Sequence, residues 1–356
     1  MTQPDMPVLE GPNCPLPIKD RGQIVIGHGS GGQMTHDLIR DVFQRRLSNA
    51  ILDTGNDAAI LSEAPGEKRL VVSTDAHIVS PLFFAGGDIG RLAVCGTVND
   101  VAMLGAEPRF LTAAFILEEG FPIHELELIV DSFAQACREA GVELIAADTK
   151  VTEKGKSDKL FISTTGFGWA DNSLQIGGEQ AKPGDAVIIS GPVGNHGIAV
   201  AEARGNLGFT SKVRSDTAPL NHLVKALLDA KLDVHVLRDP TRGGLATTLV
   251  EIARQSQVNI KLDEESIPID KPVRKTCELL GLDPLYLANE GKLILILPAD
   301  QAGQAVRVMR GARYGEEAQI IGQVIGASKG QVWLKTPYGT TRVLEMLAGE
   351  MLPRIC

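Results

Sequence analysis

Residues 160–190 read LFISTTGFGWADNSLQIGGEQAKPGDAVIIS. The stretch holds two short β-branched and apolar runs, Leu160 to Ser163 and Ala186 to Ser190. Between them lie the polar stretch Ala170 to Ser173 and the turn Lys182-Pro183-Gly184-Asp185, where Pro and Gly fix a reversal and Asp favours its exit. One folded unit closes near residue 170 and a second opens just after it. The chain has 356 residues, and a prior of roughly 150 residues per domain also gives two units.

Working back from residue 160, the runs Leu70 to Ser73, Leu111 to Ile116 and Val142 to Ala146 alternate with helical patterns at Asp88 to Leu104 and Ile123 to Ala140. Working forward, helices are expected near Leu220 to Ala230 and Leu245 to Gln255, then a buried strand at Leu293 to Leu297. The class is α/β, with α+β character. The expected division is a proline-bearing leader over 1–22, an N-terminal domain over 23–170, a C-terminal α/β domain over 171–345 and a tail over 346–356. From Gly349 the tail has too little periodicity to dock firmly and is expected to be mobile. Its seven steps to Cys356 span roughly 23 to 25 Å when extended, enough to enter a neighbouring cleft.

An apolar fraction of 44% and a charged fraction of 22% suit an ordinary globular protein. The net charge of -9, with no basic cluster beyond Arg45-Arg46, gives no footprint for nucleic acid or an anionic membrane. No run approaches the roughly 18 apolar residues of a membrane span, and Met1 to Asp5 lacks a signal-peptide pattern, so a cytoplasmic location is expected. The five cysteines (Cys14, Cys95, Cys137, Cys277 and Cys356) form no Cys-x-x-Cys motif and are read as reduced thiols. Cys137 shares a helical stripe with Leu126, Ile129, Val130 and Phe133, the pattern of a small core residue. Cys356 is the last residue, where a thiol packs nothing and the adjoining carboxylate disfavours the thiolate; a carrier arm accounts for it, and a chance terminal cysteine is the equal alternative on this residue alone. Prenylation does not, because that motif places its cysteine four residues from the end.

Four features carry chemistry. Gly27-His28-Gly29-Ser30-Gly31-Gly32 precedes a helical stretch, so its amides and the helix N-terminus suit a phosphate, although such a segment most often serves only as a turn. Asp57, Asp75, Asp100 and Asp148 each sit at a strand edge or buried helix among Ala, Val and Ile, where a carboxylate is costly without positive compensation. Mg²⁺ bridging nucleotide phosphates would supply it, while capping of turns is the ordinary use of any one of them. Asp239-Pro240-Thr241-Arg242-Gly243-Gly244 opens the helix from Leu245, and Arg242 with the helix N-terminus would hold an anion. His196, Glu290 and Lys150 are candidates for proton transfer, each equally able to be a structural polar group.

Together the phrases His28-Gly29-Ser30-Gly31-Gly32, Asn99-Asp100-Val101-Ala102-Met103, Asp148-Thr149-Lys150-Val151, Asp239-Pro240-Thr241-Arg242-Gly243-Gly244, Asn289-Glu290-Gly291 and Pro353-Arg354-Ile355-Cys356 make the chain resemble the HypE family of hydrogenase maturation factors from Gly27 to Cys356. That family belongs with aminoimidazole ribonucleotide synthetase, selenophosphate synthetase and thiamine monophosphate kinase. The resemblance implies a two-domain fold of that type, a homodimer whose N-terminal sheets form a barrel-like core, and ATP with Mg²⁺ as cofactors. It places the metal at Asp57, Asp75 and Asp100. Nucleotide contacts fall to Gly29, Ser30, Gly31 and Gly32, to Thr74, Asn99 and Asp148, and to Asp239, Arg242, Gly243 and Gly244. It further implies that a carbamoyltransferase, HypF, loads Cys356, and that a HypC and HypD complex receives the cyanide on iron. One departure is Asn56 before Asp57, where superfamily members often show two consecutive acids.

The implied reaction is ATP-dependent dehydration of an S-carbamoyl group on Cys356 to a thiocyanate, with Glu290 as first choice of base, His196 second, and Lys150 stabilising developing charge. Two other readings stay open on the residues alone. One is a kinase of the same superfamily acting on a free small molecule, for which Cys356 is incidental. The other is a non-catalytic, nucleotide-switched scaffold. Selenophosphate synthetase fits less well, because Gly27 to Gly32 lacks the expected Cys and Lys pair.

Overall fold

The computed structural model describes residues 32–38, 40–41, 54, 56, 58–61, 68–205, 211–327, 330–347, 349, 352 and 354–356. The leader, Gly29, Ser30, Gly31 and Asp57 lie outside them. After a short helix α1 (Gln33–Leu38), a five-stranded sheet is built from β1 (Ala59–Leu61), β2 (Lys68–His77), β5 (Glu107–Glu118), β6 (Glu143–Thr152) and β7 (Leu160–Asp171) in the order β1-β2-β7-β5-β6. All pairs are antiparallel except β5 with β6. A two-stranded ribbon, β3 (Phe83–Phe84) and β4 (Gly87–Asp88), leads into helix α2 (Ile89–Met103).

Helix α2 is apolar on nearly every side, so it must be enclosed rather than surface-lying. Asp88 caps it, accepting from the amides of Gly90 and Arg91. Small residues let neighbours approach: a Cβ on Gly96 would come within 2.9 Å of the His77 ring. Helix α3 (Ile123–Ala140) covers α2 with the stripe Ile129, Phe133, Ala136, Cys137 and Ala140, and ends on left-handed Gly141.

The second unit is a seven-stranded sheet in the order β14-β13-β10-β12-β8-β11-β9, from β8 (Asp185–Ile189), β9 (Val236–Arg238), β10 (Val258–Asp263), β11 (Ile294–Pro298), β12 (Gln319–Ala327), β13 (Val332–Lys335) and β14 (Thr341–Leu344). Its central strands have period-two faces, each buried. Val187, Ile189, Ile294 and Ile296 join helix α6 (Gly244–Gln255), while Ile188, Leu293, Leu295 and Leu297 join α5 (Asn221–Asp229) and α8 (Ala302–Arg310). Helices α4 (Asn195–Ala203) and α7 (Lys271–Leu280) complete the set among the described residues. Ala102 and Met103, at the end of α2, belong to the second unit's core, so the two sheets are joined through one helix.

A strap over 211–220, without regular structure, runs between the units. Asn99 holds it by donating to the Ala218 carbonyl (3.0 Å) and accepting from the Leu220 amide (2.8 Å), and Arg91 donates to the Thr217 carbonyl (2.9 Å).

The tail departs from the sequence expectation. Residues 354–356 dock as a short antiparallel extension on 78–80, just past β2. The Ile78 amide donates to the Cys356 main-chain oxygen (3.2 Å) and the Ser80 amide to the Arg354 carbonyl (3.1 Å). Periodicity could not foresee this, because the tail docks through its main-chain groups, one buried side chain, Ile355, and an Arg354–Asp158 ion pair, with partners far away in sequence. Among the described residues no helix is long and apolar enough to cross a membrane.

Candidate active site

The docked tail, the ends of β2 and α2, the strap and two loops of the second unit meet in one cleft. Alternation along β2 turns Ser73, Asp75 and His77 toward α2. Ser73 Oγ donates to Asp100 Oδ2 (2.7 Å), and His77 Nε2 lies 3.6 Å from Asp75 Oδ2. Burial lowers the His77 pKa, with Asp75 opposing and Arg242 assisting. Thr74 points to the other face and bonds Thr164 and Thr165, so the structure separates it from Asp75. Asn99 is likewise used on the strap rather than turned to a ligand.

The loops of the second unit are tied by Asn289. Its Oδ1 accepts from the Gly194 amide (2.7 Å) and its Nδ2 donates to the Pro240 carbonyl (2.9 Å). Gly243 and Gly244 both have positive φ, and a Cβ on Gly244 would lie 2.6 Å from the carbonyl oxygens of Leu285 and Leu287. These glycines let the chain enter α6 with no side-chain cap on its first amides. Asp239 is buried before them, while Arg242 is exposed.

Glu290 lies at the centre, 3% exposed, with Oε1 lacking a hydrogen-bond partner. Its carboxyl is held well above the usual range, first by burial and then by the negative charges of Asp239, Asp216 and Asp75, with Arg242 opposing. Asp216, on the strap, accepts from the Glu290 amide (3.2 Å) and faces Lys292 (3.4 Å). Sequence reading missed Asp216, Lys292, Ser215 and Arg204; the only cue was a polar stretch broken by Pro219. His196 is fully buried, with Nδ1 2.8 Å from Ser215 Oγ and Nε2 2.6 Å from the Ile355 carbonyl oxygen. The thiol-bearing Cys356 packs against the cluster that contains Cys95, Phe84, Val200 and Ala288.

Asp148 and Lys150 stand apart, on edge strand β6, exposed and paired with each other. Asn56 braces the units instead of binding an ion: its Oδ1 accepts from the Gly178 amide (2.9 Å) and its Nδ2 donates to Glu179 (3.3 Å). Gly32 starts α1, where the Gln33 amide donates to the Leu347 carbonyl (2.8 Å) and His36 meets Glu251 on α6 (2.9 Å). Among the described residues no three His, Cys, Asp or Glu side chains are grouped as a metal-ligand set, and Asp57 lies outside them.

Two α/β units joined through a buried helix, with acids on one and a glycine-entered helix on the other, define the AIR synthase related class; its N-terminal domain matches residues 55–170 and its C-terminal domain residues 182–335. Within that class the chain is 51% identical over 335 residues to the carbamoyl dehydratase HypE of Azotobacter vinelandii, covering 94% of this chain and 98% of the relative. It belongs to the HypE family. A solved HypE in complex with ATP superposes with a TM-score of 0.78 at 50% identity, covering 94% of this chain and all of that one. A HypE–HypF complex gives 0.82 at 47% identity, covering 87% of this chain and 99% of that one.

Proposed function

We propose that this protein uses ATP to dehydrate a carbamoyl group carried on Cys356 to a thiocyanate, the precursor of a cyanide ligand for a hydrogenase iron centre. Family membership supports the reaction class. The observation that carries it is the docked tail, paired antiparallel at Val79 and Ile355, with Cys356 against the apolar cluster that includes Ala288 of the loop bearing Glu290.

The residues fit a nucleotide and a divalent cation. Buried Glu290 Oε1 lacks a hydrogen-bond partner beside the carboxylates of Asp216, Asp239 and Asp75, and the glycine entry to α6 leaves its first amides without a side-chain cap. Asp75 and Asp100, with Asp57, would hold Mg²⁺; Asp239, Arg242, Gly243 and Gly244, with Gly29 to Gly32, would hold ATP. ATP supplies the phosphoryl group that lets the carbamoyl oxygen leave as phosphate, and Mg²⁺ supplies countercharge.

Overall, S–C(=O)–NH₂ becomes S–C≡N: nitrogen gives up two protons and oxygen departs with the γ-phosphate. Glu290 is the proton acceptor in this scheme. Burial and the neighbouring Asp239, Asp216 and Asp75 favour its protonated form, so it serves as a base only when positive charge joins that group. Both nitrogens of His196 are engaged by Ser215 and Ile355 while the tail is docked, which argues for a different task. Lys150 and Asp148 enter the site through a second copy of the chain. Strand β6 is an exposed edge carrying Ile145 and Val151, a surface that homodimer formation would cover. HypF is the loading partner and the HypC and HypD complex the acceptor.

Intact-mass measurement after incubation with the carbamoyltransferase, carbamoyl phosphate and ATP tests the reading. A carbamoyl adduct at Cys356 that loses one water only with hydrolysable ATP is expected. A competent partner that leaves Cys356 unmodified would sink it and favour a kinase acting on a free small molecule.

A further inference from the structure

The imidazole of His196 is held from every side, and its hydrogen placement follows from its partners. A carbonyl oxygen only accepts, so the 2.6 Å contact to Ile355 requires a proton on Nε2. Burial keeps the ring neutral, leaving Nδ1 bare to accept from Ser215 Oγ at 2.8 Å. With its proton committed there, Ser215 Oγ accepts from the Thr217 amide (3.1 Å) and from Thr217 Oγ1 (2.6 Å). Ser215 is itself fixed, its amide donating to the Ala85 carbonyl (2.7 Å) while Gly86, at φ +98°, lies against its backbone. The Phe84 ring meets the imidazole edge-on, with centroids 5.4 Å apart.

We infer that His196 is a positioning residue, a latch whose Nε2–H grips the Ile355 carbonyl and fixes the register of the tail, with Ser215 setting the ring's tautomer. The inference rests on Cys356 being the group carrier. Register matters because a one-residue slip along 78–80 would turn Ile355 and Cys356 to opposite faces, removing the thiol from the cleft. Arg204 braces the same pairing from the other side, donating to the Ser80 carbonyl (2.9 Å) and the Arg354 carbonyl (3.0 Å). A residue with both nitrogens committed in this way has no lone pair left to accept a proton from the docked thiol's substituent, so its contribution is geometric.

The test is the rate at which iodoacetamide alkylates Cys356 in the ligand-free full-length protein, read on the C-terminal peptide. Other described thiols react slowly, because burial pushes Cys95 up to about 12 and Cys137 and Cys277 to about 11. His196→Ala is expected to speed alkylation about ten-fold, the effect of losing one hydrogen bond of about 1.4 kcal/mol, and to slow dehydration per loaded chain while nucleotide binding persists. His196→Gln retains an N–H at similar reach and should restore both. Ser215→Ala, a smaller change, should give an intermediate alkylation rate. Wild-type alkylation rates in His196→Ala and Ser215→Ala overturn the latch. So does a His196→Gln protein that keeps its tail protected yet cannot dehydrate, which would mark His196 as a proton carrier. Failure of the wild type to dehydrate a loaded Cys356 would instead strike the proposed function, while the alkylation series still judges the latch.

Discussion

Replacing Glu290 by Gln changes one titratable group and almost no volume, at a position where the structure makes ionisation costly. Burial raises the Glu290 pKa well above its ordinary 4.5, and Asp239, Asp216 and Asp75 push it the same way. The folded protein therefore keeps a proton that the unfolded chain releases above about 4.5. Over that window the native state binds more protons than the unfolded state, so wild-type stability falls as pH rises toward the folded pKa. One proton gives a slope of about 1.4 kcal/mol per pH unit. Glu290→Gln lacks the effect, so urea unfolding of both ligand-free proteins between about pH 5 and 8 should show the variant gaining on the wild type by about that amount per unit until the folded pKa is passed. Parallel stability curves would refute the reasoning, because they would mean that Glu290 is already ionised in the folded site. The same variant should bind nucleotide and fail to dehydrate.

Three further outcomes are expected. Ile355→Ala should free the tail: burying Ile355 contributes about 1.5–3 kcal/mol and the hydrogen bonds from the Ile78 and Ser80 amides, His196 and Arg204 about 0.5–1.5 each, which exceeds by a few kcal/mol the cost of about 1–2 per residue for ordering 354–356. Removing about 2 kcal/mol should raise Cys356 alkylation about 20–30-fold, and an unchanged rate would show that the tail is held by something else. Gly291→Ala places a Cβ against the Asp216 carbonyl oxygen and should destabilise by about 1–3 kcal/mol in thermal unfolding while displacing Glu290; an unchanged melting temperature would contradict the close approach. His196 has a lowered pKa, so the unfolded chain takes up a proton that the folded protein refuses below about 6.5. Acidification through that point should destabilise the wild type by up to about 1.4 kcal/mol per unit, and His196→Gln should flatten this part of the profile.

The small margin of tail docking, a few kcal/mol, also reconciles its two descriptions. A segment held by one buried side chain and a handful of hydrogen bonds, two of them main chain to main chain and others from His196 and Arg204, can be both seated for chemistry and released to partners. Sequence reading reached only the second half of that, because irregular composition reports the absence of helix or strand periodicity and says nothing about an edge waiting elsewhere in the fold.

Local pattern alone determined much. The helix over Ile123 to Ala140 was legible to the residue, since a 3.6-residue stripe and a terminal glycine are properties of the segment itself. The strand at β11 and the glycine entry to α6 were legible for the same reason, and so was the family. Helices α4, α7 and α8 and the strands beyond β11 were not foreseen, being short pieces whose order comes from packing in a shared core. Function-bearing residue types were likewise legible, but not their grouping. Asp75, Asp216, Asp239 and Glu290 are scattered over more than two hundred positions, and their mutual charge exists only once β2, the strap and two loops converge. Thr74 and Asn99 share motifs with Asp75 and Asp100, yet strand alternation and helix facing turn them to other work. Spacing in sequence tells which residues can share a face; only the tertiary structure decides what that face meets.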